Sequence, residues 1–317
     1  MNYLVTGGAG FIGSNLVDRL VKEGHRAIVI DDFSLGKEEN IANHSNNPDN
    51  PHFILYRKSI CDNLSSIFEK EGIDAVFHLA ALPRVQFSID YPQKTHEVNT
   101  NGTFNLLYAC KQFGVKRFIY SSSSSVYGDQ ESLPMTEDMK PDPLSPYALQ
   151  KLIGEEYCKL FTFLYGMETI SLRYFNVYGP RQDHTSGYAN LIPKFIFLIE
   201  KNRRPTINGD GNQTRDFTYV DDVINANMMA VTAKTRECFG HVFNIGSGKN
   251  LSVNDITTNL IDLSNKHLQP IHGSALVEPR NTLAAISRAK KMLDWSPQTS
   301  FDVGLSKTYS FFVSQKF

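Results

Sequence analysis

Short apolar, β-branched runs alternate with amphipathic stretches of helical period along the first 172 residues. Tyr3–Thr6, Ala27–Ile30, Ala75–Leu79, Phe118–Ser121 and Thr169–Leu172 are almost continuously apolar and read as buried strands. Between them, Phe11–Glu23, Leu64–Glu71, Asn99–Phe113 and Pro146–Tyr165 place apolar side chains on one helical face. Strands apolar on both faces, each followed by a helix, predict an α/β fold with a doubly wound, Rossmann-type parallel sheet. Ile41–Pro51, rich in Asn and Pro, reads as a surface loop.

After Leu172 the rhythm changes, and Gly179-Pro180, Gly209-Asp210-Gly211 and Gly246-Ser247-Gly248 interrupt it. This predicts a smaller C-terminal, substrate-binding lobe built on longer loops, from residues 173–215 and 247–317. Phe217–Ala230 and His241–Ile245 are expected to return to the first lobe. That lobe then comprises residues 1–172 plus about 216–246.

Composition narrows the function. The 317 residues carry 32 Lys+Arg and 33 Asp+Glu, a net charge of −1, with 41 % apolar residues. The balance holds no basic run of the kind that grips nucleic acid or an anionic membrane. No apolar stretch reaches the ~18–20 residues that span a bilayer. Met1–Val5 runs straight into the first strand without the basic region of a signal peptide. Cys61, Cys110, Cys158 and Cys238 are scattered and form no CxxC. Free thiols in the cytoplasm are therefore expected, with no metal site.

Two motifs suggest chemistry. The first strand leads into Gly7-Gly8-Ala9-Gly10-Phe11-Ile12-Gly13, which opens a helix. Glycines permit a tight turn and let backbone N–H groups approach a pyrophosphate, which the helix dipole also favours. Asp31, with Asp32 beside it, ends the next strand, where a carboxylate accepts from adenosine ribose hydroxyls and repels a 2′-phosphate. NAD is therefore expected rather than NADP. The second motif is Tyr147-x-x-x-Lys151, behind the N-cap Ser145 and Pro146. An ammonium one turn from a phenol is expected to lower its pKa from ~10 toward neutrality, giving a general base. The hydroxyls of Ser121–Ser125 end the preceding strand within reach of the same pocket, and at least one is expected to be catalytic.

These residues resemble the extended short-chain dehydrogenases/reductases, specifically the NAD-dependent nucleotide-sugar epimerase/dehydratase branch. The resemblance runs along nearly the whole chain. Its marks are the glycine loop, His78-Leu79-Ala80-Ala81, Tyr120 through Tyr127-Gly128-Asp129, Tyr147-x-x-x-Lys151, Arg173 through Pro180, Gly209-Asp210-Gly211 with Arg215-Asp216-Phe217, and Phe243-Asn244-Ile245-Gly246. Within the branch the chain is most similar to UDP-hexose 4-epimerases.

The resemblance implies site roles. Ser123 is the catalytic hydroxyl, Tyr147 the base, and Lys151 the lysine that also holds the nicotinamide ribose. Gly7, Gly10, Phe11, Ile12, Gly13, Asp31, Asp32, Ser59, Ile60, the strand end His78, Leu79, Ala80 and Ala81, Asn99 and Tyr174 line the cofactor. Ser88, Ser124, Asn176, Asn190, Leu191, Asn208, Arg215, Glu278 and Thr282 contact the UDP-sugar. The implied reaction interconverts UDP-glucose and UDP-galactose through a 4-keto sugar. Thr282, a small residue where the sugar C2 substituent lies, extends it to UDP-GlcNAc and UDP-GalNAc. A homodimer through the helices Asn99–Phe113 and Pro146–Tyr165 is also implied.

Dehydratases of this family carry Asp-Glu beside the catalytic hydroxyl, whereas this chain has Ser124-Ser125. The residues also leave open a 4-reductase or a non-catalytic NAD-binding regulator. The chain departs from the family at three positions. Ser59 replaces an Asp before Ile60, with Asp62 nearby to compensate. Ala275 replaces a phosphate-binding arginine, a role Arg280 is expected to take over. Ala285 replaces an Asp.

Overall fold

The computed structural model describes residues 1–47, 49–184, 189–275 and 279–315. A seven-stranded sheet forms its centre. The first six strands are β1 (Asn2–Thr6), β2 (Arg26–Ile30), β3 (Phe53–Tyr56), β4 (Ala75–His78), β5 (Arg117–Ser123) and β6 (Glu168–Tyr174). The order across the sheet is His241–Ile245, β6, β5, β4, β1, β2, β3, and every pairing is parallel. Successive strands are added on one side from β1 to β3 and on the other from β4 onward, and this switch between β1 and β4 opens a crevice at the C-terminal strand ends.

Alternating side chains bury against both layers of helices. Tyr3, Val5, Val29, Phe77 and Leu172 enter one core, and Leu4, Ile28, Val76, Phe118 and Tyr120 enter the other. This is why the strands read as unbroken apolar runs rather than as an alternation.

Three stretches depart from the sequence reading. β3 (Phe53–Tyr56) lies directly after the Asn/Pro-rich stretch, whose polarity masks a four-residue apolar run at the sheet edge. Within that stretch Ala42–Ser45 forms a helical turn. The helix expected over Asn99–Phe113 begins earlier, at Pro92–His96, and continues through a π segment at Glu97–Gly102 into Thr103–Gln112. Pro146–Tyr165 is helical throughout, with the Ser145 hydroxyl accepting from the Ala148 N–H at 3.2 Å.

His241–Ile245 pairs with β6, and the helix Val220–Thr232 packs against β5 and β6. Among the described residues three two-stranded pairs lie beyond the main sheet: Val177–Tyr178 with Thr218–Tyr219, Thr206–Asn208 with Ile271–Gly273, and Thr214–Asp216 with Asn250–Ser252. The buried Asp216 carboxylate ties neighbouring loops together. It accepts from the backbone N–H of Ser247 (2.6 Å), Gly248 (3.0 Å) and Ala284 (3.1 Å), and from the Ser247 hydroxyl (2.7 Å). Gly246 is required there, because a Cβ would sit 2.8 Å from that carboxylate. No helix among the described residues is long and apolar enough to cross a membrane.

Candidate active site

A cavity of ≈ 1320 Å³ opens along the C-terminal ends of the parallel strands. Its floor at one end is the glycine loop. Gly7 has φ +70°, and a Cβ there would lie 2.8 Å from the Ala80 nitrogen. A Cβ on Gly13 would lie 2.1 Å from the Gly7 carbonyl oxygen. The loop therefore closes only with glycine at these positions, and it borders the cavity at the start of helix Phe11–Lys22. Asp31 braces the loop: its carboxylate accepts from Ala9 N–H (2.9 Å) and Phe33 N–H (2.8 Å). Burial raises the Asp31 pKa, and the two N–H donors oppose that. A carboxylate has about four acceptor positions, so capacity for ribose hydroxyls remains. The steric cradle and this acceptor fit a dinucleotide.

The other end is built by β5 and the Tyr147 helix. Gly154 lets that helix lie against the sheet, since a Cβ there would be 2.2 Å from the Tyr120 hydroxyl. Lys151 donates to the Ser121 carbonyl at 2.7 Å and sits 5.0 Å from the Tyr120 ring centroid and 6.0 Å from that of Tyr147. Ser123 caps the next turn, accepting from the N–H (3.2 Å) and hydroxyl (2.9 Å) of Ser125. The Ser121 hydroxyl meets the Tyr174 hydroxyl at 3.0 Å, and Asn227 donates to Tyr174 at 2.9 Å.

The electrostatics correct one expectation. Burial pushes the Tyr147 phenol up to about 12, opposed by a hydrogen bond with Ser123 and by the Arg84 guanidinium. Burial lowers Lys151 to about 8, and Glu155 opposes that. The lysine does not bring the phenol toward neutrality here, because its ammonium turns to the Ser121 carbonyl while burial penalises the phenolate. Glu155 stands one turn beyond Lys151 and takes paired hydrogen bonds from Arg173 (2.9 and 2.6 Å) and one from the Ser122 hydroxyl. Tyr147, Lys151 and Glu155 therefore form a buried stripe at i, i+4 and i+8.

Most of the residues expected at the site line this one cavity. Ser123, Ser124, Tyr147 and Lys151 do, as do Gly7, Gly10, Phe11, Ile12, Gly13, Asp31, Asp32, Ser59, Ile60, Leu79, Ala80, Ala81 and Tyr174. Asn176, Asn190, Arg215 and Thr282 line it from the later part of the chain. Five others are seated differently. Asn99, in the π segment, is buried beneath the wall, accepting from Leu82 N–H (2.8 Å) and donating to Gln150 (2.8 Å). Ser88 is fully buried, and its hydroxyl accepts from the Tyr147 N–H at 3.0 Å, so it orients the Tyr147 helix instead of touching substrate. Leu191 packs on the core, and Asn208 gives its carbonyl to Gln213 outside the cavity. His78, at the strand end, is buried between Thr6 (2.8 Å) and Thr103 (2.9 Å), and burial lowers it to about 3. Glu278 lies outside the described residues.

Arg280 pairs with Asp210 at 2.7 Å on the surface and is not among the residues lining the cavity, so reaching the place of the arginine missing at Ala275 requires it to leave that pair. Asp62 accepts from the Ser59 N–H at 2.9 Å. The sequence reading missed Arg84, which lines the cavity beside Tyr147 and reaches Asn190 (3.0 Å) and Asp183 (3.2 Å). No local motif marks it, because its partners are about 100 residues away. Among the described residues no His/Cys/Asp/Glu group is suited to hold a metal ion.

Comparison with known proteins agrees with this architecture. A putative UDP-glucose 4-epimerase of Methanocaldococcus jannaschii is 38 % identical over 312 residues, covering 96 % of each chain. The structure of a UDP-glucose 4-epimerase with UDP-glucose from Thermotoga maritima superposes with a TM-score of 0.93 at 36 % identity, covering 99 % of both chains. A UDP-N-acetylglucosamine 4-epimerase from Methanobrevibacter ruminantium, in complex with UDP-N-acetylmuramic acid, gives 0.92 at 37 % identity, with 99 % and 98 % covered. The sequence model of the NAD dependent epimerase/dehydratase family matches residues 3–246, and the chain belongs to that family.

Proposed function

We propose that this protein is an NAD-dependent 4-epimerase of UDP-hexoses, acting on UDP-glucose/UDP-galactose and also on UDP-GlcNAc/UDP-GalNAc. The observation that carries the reading is the meeting of Ser123, Tyr147 and Lys151 in the cavity that also holds the glycine loop. Bound in this cavity, NAD would supply a reversible hydride acceptor and the positive charge of an oxidised ring. Tyr147 Oη takes the proton of the 4-hydroxyl and gives it back. Ser123 holds that oxygen by a hydrogen bond. Lys151, held by the Ser121 carbonyl, is assigned to the nicotinamide ribose, and Arg84 supplies the cation at the flank of the phenol. Arg215 and Asn190 are assigned to the nucleotide diphosphate end. In this reading residues 1–172 with about 216–246 serve the cofactor, and residues 173–215 and 247–317 serve the nucleotide sugar.

Two observations favour epimerisation over dehydration and a wide sugar pocket. The positions beside Ser123 are Ser124 and Ser125, neither of which titrates near neutrality. Thr282 lines the cavity with a short side chain, which supports room for an acetamido group. Purified protein incubated with a panel of UDP-sugars and no added cofactor tests the reading, with the epimers separated by chromatography. Conversion of the glucose pair is expected, and a 4-keto-6-deoxy product would replace the reading with dehydration. Failure to turn over UDP-GlcNAc would remove the acetylated pair alone.

We also propose a homodimer. The helix Pro146–Tyr165 exposes Leu149, Leu160 and Phe163, the last 83 % accessible, and Phe104 and Tyr108 lie exposed on the neighbouring helix. That apolar area suits a second copy, and sedimentation reads it directly. The four free thiols accord with a cytoplasmic site of action.

A further inference from the structure

Arg181 is held in an unusual state. Its backbone has φ +70°, a left-handed conformation that a bulky residue adopts at a cost. The surrounding packing enforces it. Asn15 donates to the Pro180 carbonyl at 3.3 Å, and a Cβ on Gly179 would lie 2.5 Å from Val220 and 3.6 Å from the Phe11 ring. The segment is thereby pressed onto the first turns of the glycine-loop helix. Arg181 Nη2 donates to the Asp18 carboxylate, whose other oxygen meets His44 Nε2 at 2.7 Å. The His44 ring stacks on Phe53 at 5.5 Å, so the brace is anchored to the sheet edge. Yet Nη1 of the same guanidinium is buried and has no hydrogen-bond partner among the described residues. A buried donor left unmet is costly, and its presence calls for an explanation such as a ligand. Arg181 lines the same cavity as Gly10 and Gly13.

We propose that Arg181 is a phosphate-binding residue of the dinucleotide site, in which the Asp18-braced guanidinium offers Nη1 to the diphosphate received by the glycine loop. The helix N-terminus then supplies backbone donors and Arg181 the full positive charge. A planar guanidinium suits this task because it can grip a carboxylate on one side and a phosphate on the other. The bond to Asp18 holds the guanidinium beside the helix that the glycine loop opens. The proposal rests on the dinucleotide reading of the cavity, and the wild-type arm of the experiment tests that reading by itself.

Arg181→Gly is the informative variant, because glycine relieves the backbone strain while removing the guanidinium. Two readouts serve. The first is NAD retained per chain after gel filtration. The second is direct binding of ADP-ribose, adenosine and UDP to charcoal-treated protein. Wild type without NAD and unable to bind ADP-ribose would overturn the dinucleotide reading itself. Given a binding wild type, the variant is expected to retain less NAD and to bind ADP-ribose roughly ten- to hundredfold more weakly, with adenosine and UDP unchanged. Unaltered ADP-ribose binding overturns the proposal. So does an equal loss for adenosine, which marks a structural role, or a loss confined to UDP, which moves the contact to the sugar nucleotide. Arg181→Lys keeps the charge without the fork, and partial recovery of ADP-ribose binding is expected.

Discussion

The two ends of the cavity are built in different ways. The glycine-loop end comes from consecutive residues: a strand, the four-residue turn Gly7–Gly10 and a helix, with Asp31 reaching back from the adjacent strand. Its working groups are largely backbone N–H, and the steric demand on Gly13 comes from within the loop, whereas Gly7 is also hemmed in by Leu79 and Ala80 at the end of β4. The Tyr147 end gathers side chains from distant segments. Ser88 holds the Tyr147 nitrogen from 59 residues away, and Arg84 is fixed by Asn190 from 106 residues away. A site made of backbone is written in glycines. One made of side chains depends on packing that no short motif records.

The comparison breaks most sharply at Gly13. Gly13→Val drives a side chain into the Gly7 carbonyl, so bound NAD is expected to vanish from the purified protein, and all turnover with it. Cofactor retained at wild-type level would show that the loop is less tightly closed than its geometry implies.

Tyr147→Phe acts on the opposite end only. Turnover should fall about 10²–10⁴-fold while NAD content is unchanged. A variant that loses cofactor as well would mean that the two ends are not separable.

Lys151 offers a test through pH. Its folded pKa, about 8, lies below the unfolded value of ~10.4, so the unfolded chain binds more protons between them. Its contribution to stability is fully present above ~10.4 and is lost as pH falls through about 8. Relative to wild type, Lys151→Met should therefore be favoured by on the order of 2 kcal/mol more at pH 8 than at pH 10 in denaturant titrations. A pH-independent difference would place the ammonium in a more polar setting.

Arg84→Gln removes a cation that opposes the raised pKa of Tyr147. The rising limb of the pH–rate profile should move to higher pH, with a several-fold loss of turnover at neutrality. An unmoved limb with weaker substrate binding would make Arg84 a binding residue only.

The smallest effect is expected at Ser88. Ser88→Ala removes one hydrogen bond to the Tyr147 backbone, about 1 kcal/mol of stability, and leaves KM alone. A raised KM would restore the substrate contact that the sequence reading assigned to it.

The sequence by itself determined the parallel sheet, the glycine loop with Asp31, and the Tyr147 helix with its cap, because each depends on periodicity or on steric rules acting within a few residues. The edge strand Phe53–Tyr56 escaped it, since four apolar residues after a polar stretch carry little pattern. Tertiary structure alone decided that Asn99 and Ser88 support the wall, that Arg280 faces Asp210, and that Arg84 stands beside the phenol. It also decided the proton affinity of Tyr147, because burial and the direction of a lysine's ammonium belong to the packed molecule and not to the spacing of two residues on a helix.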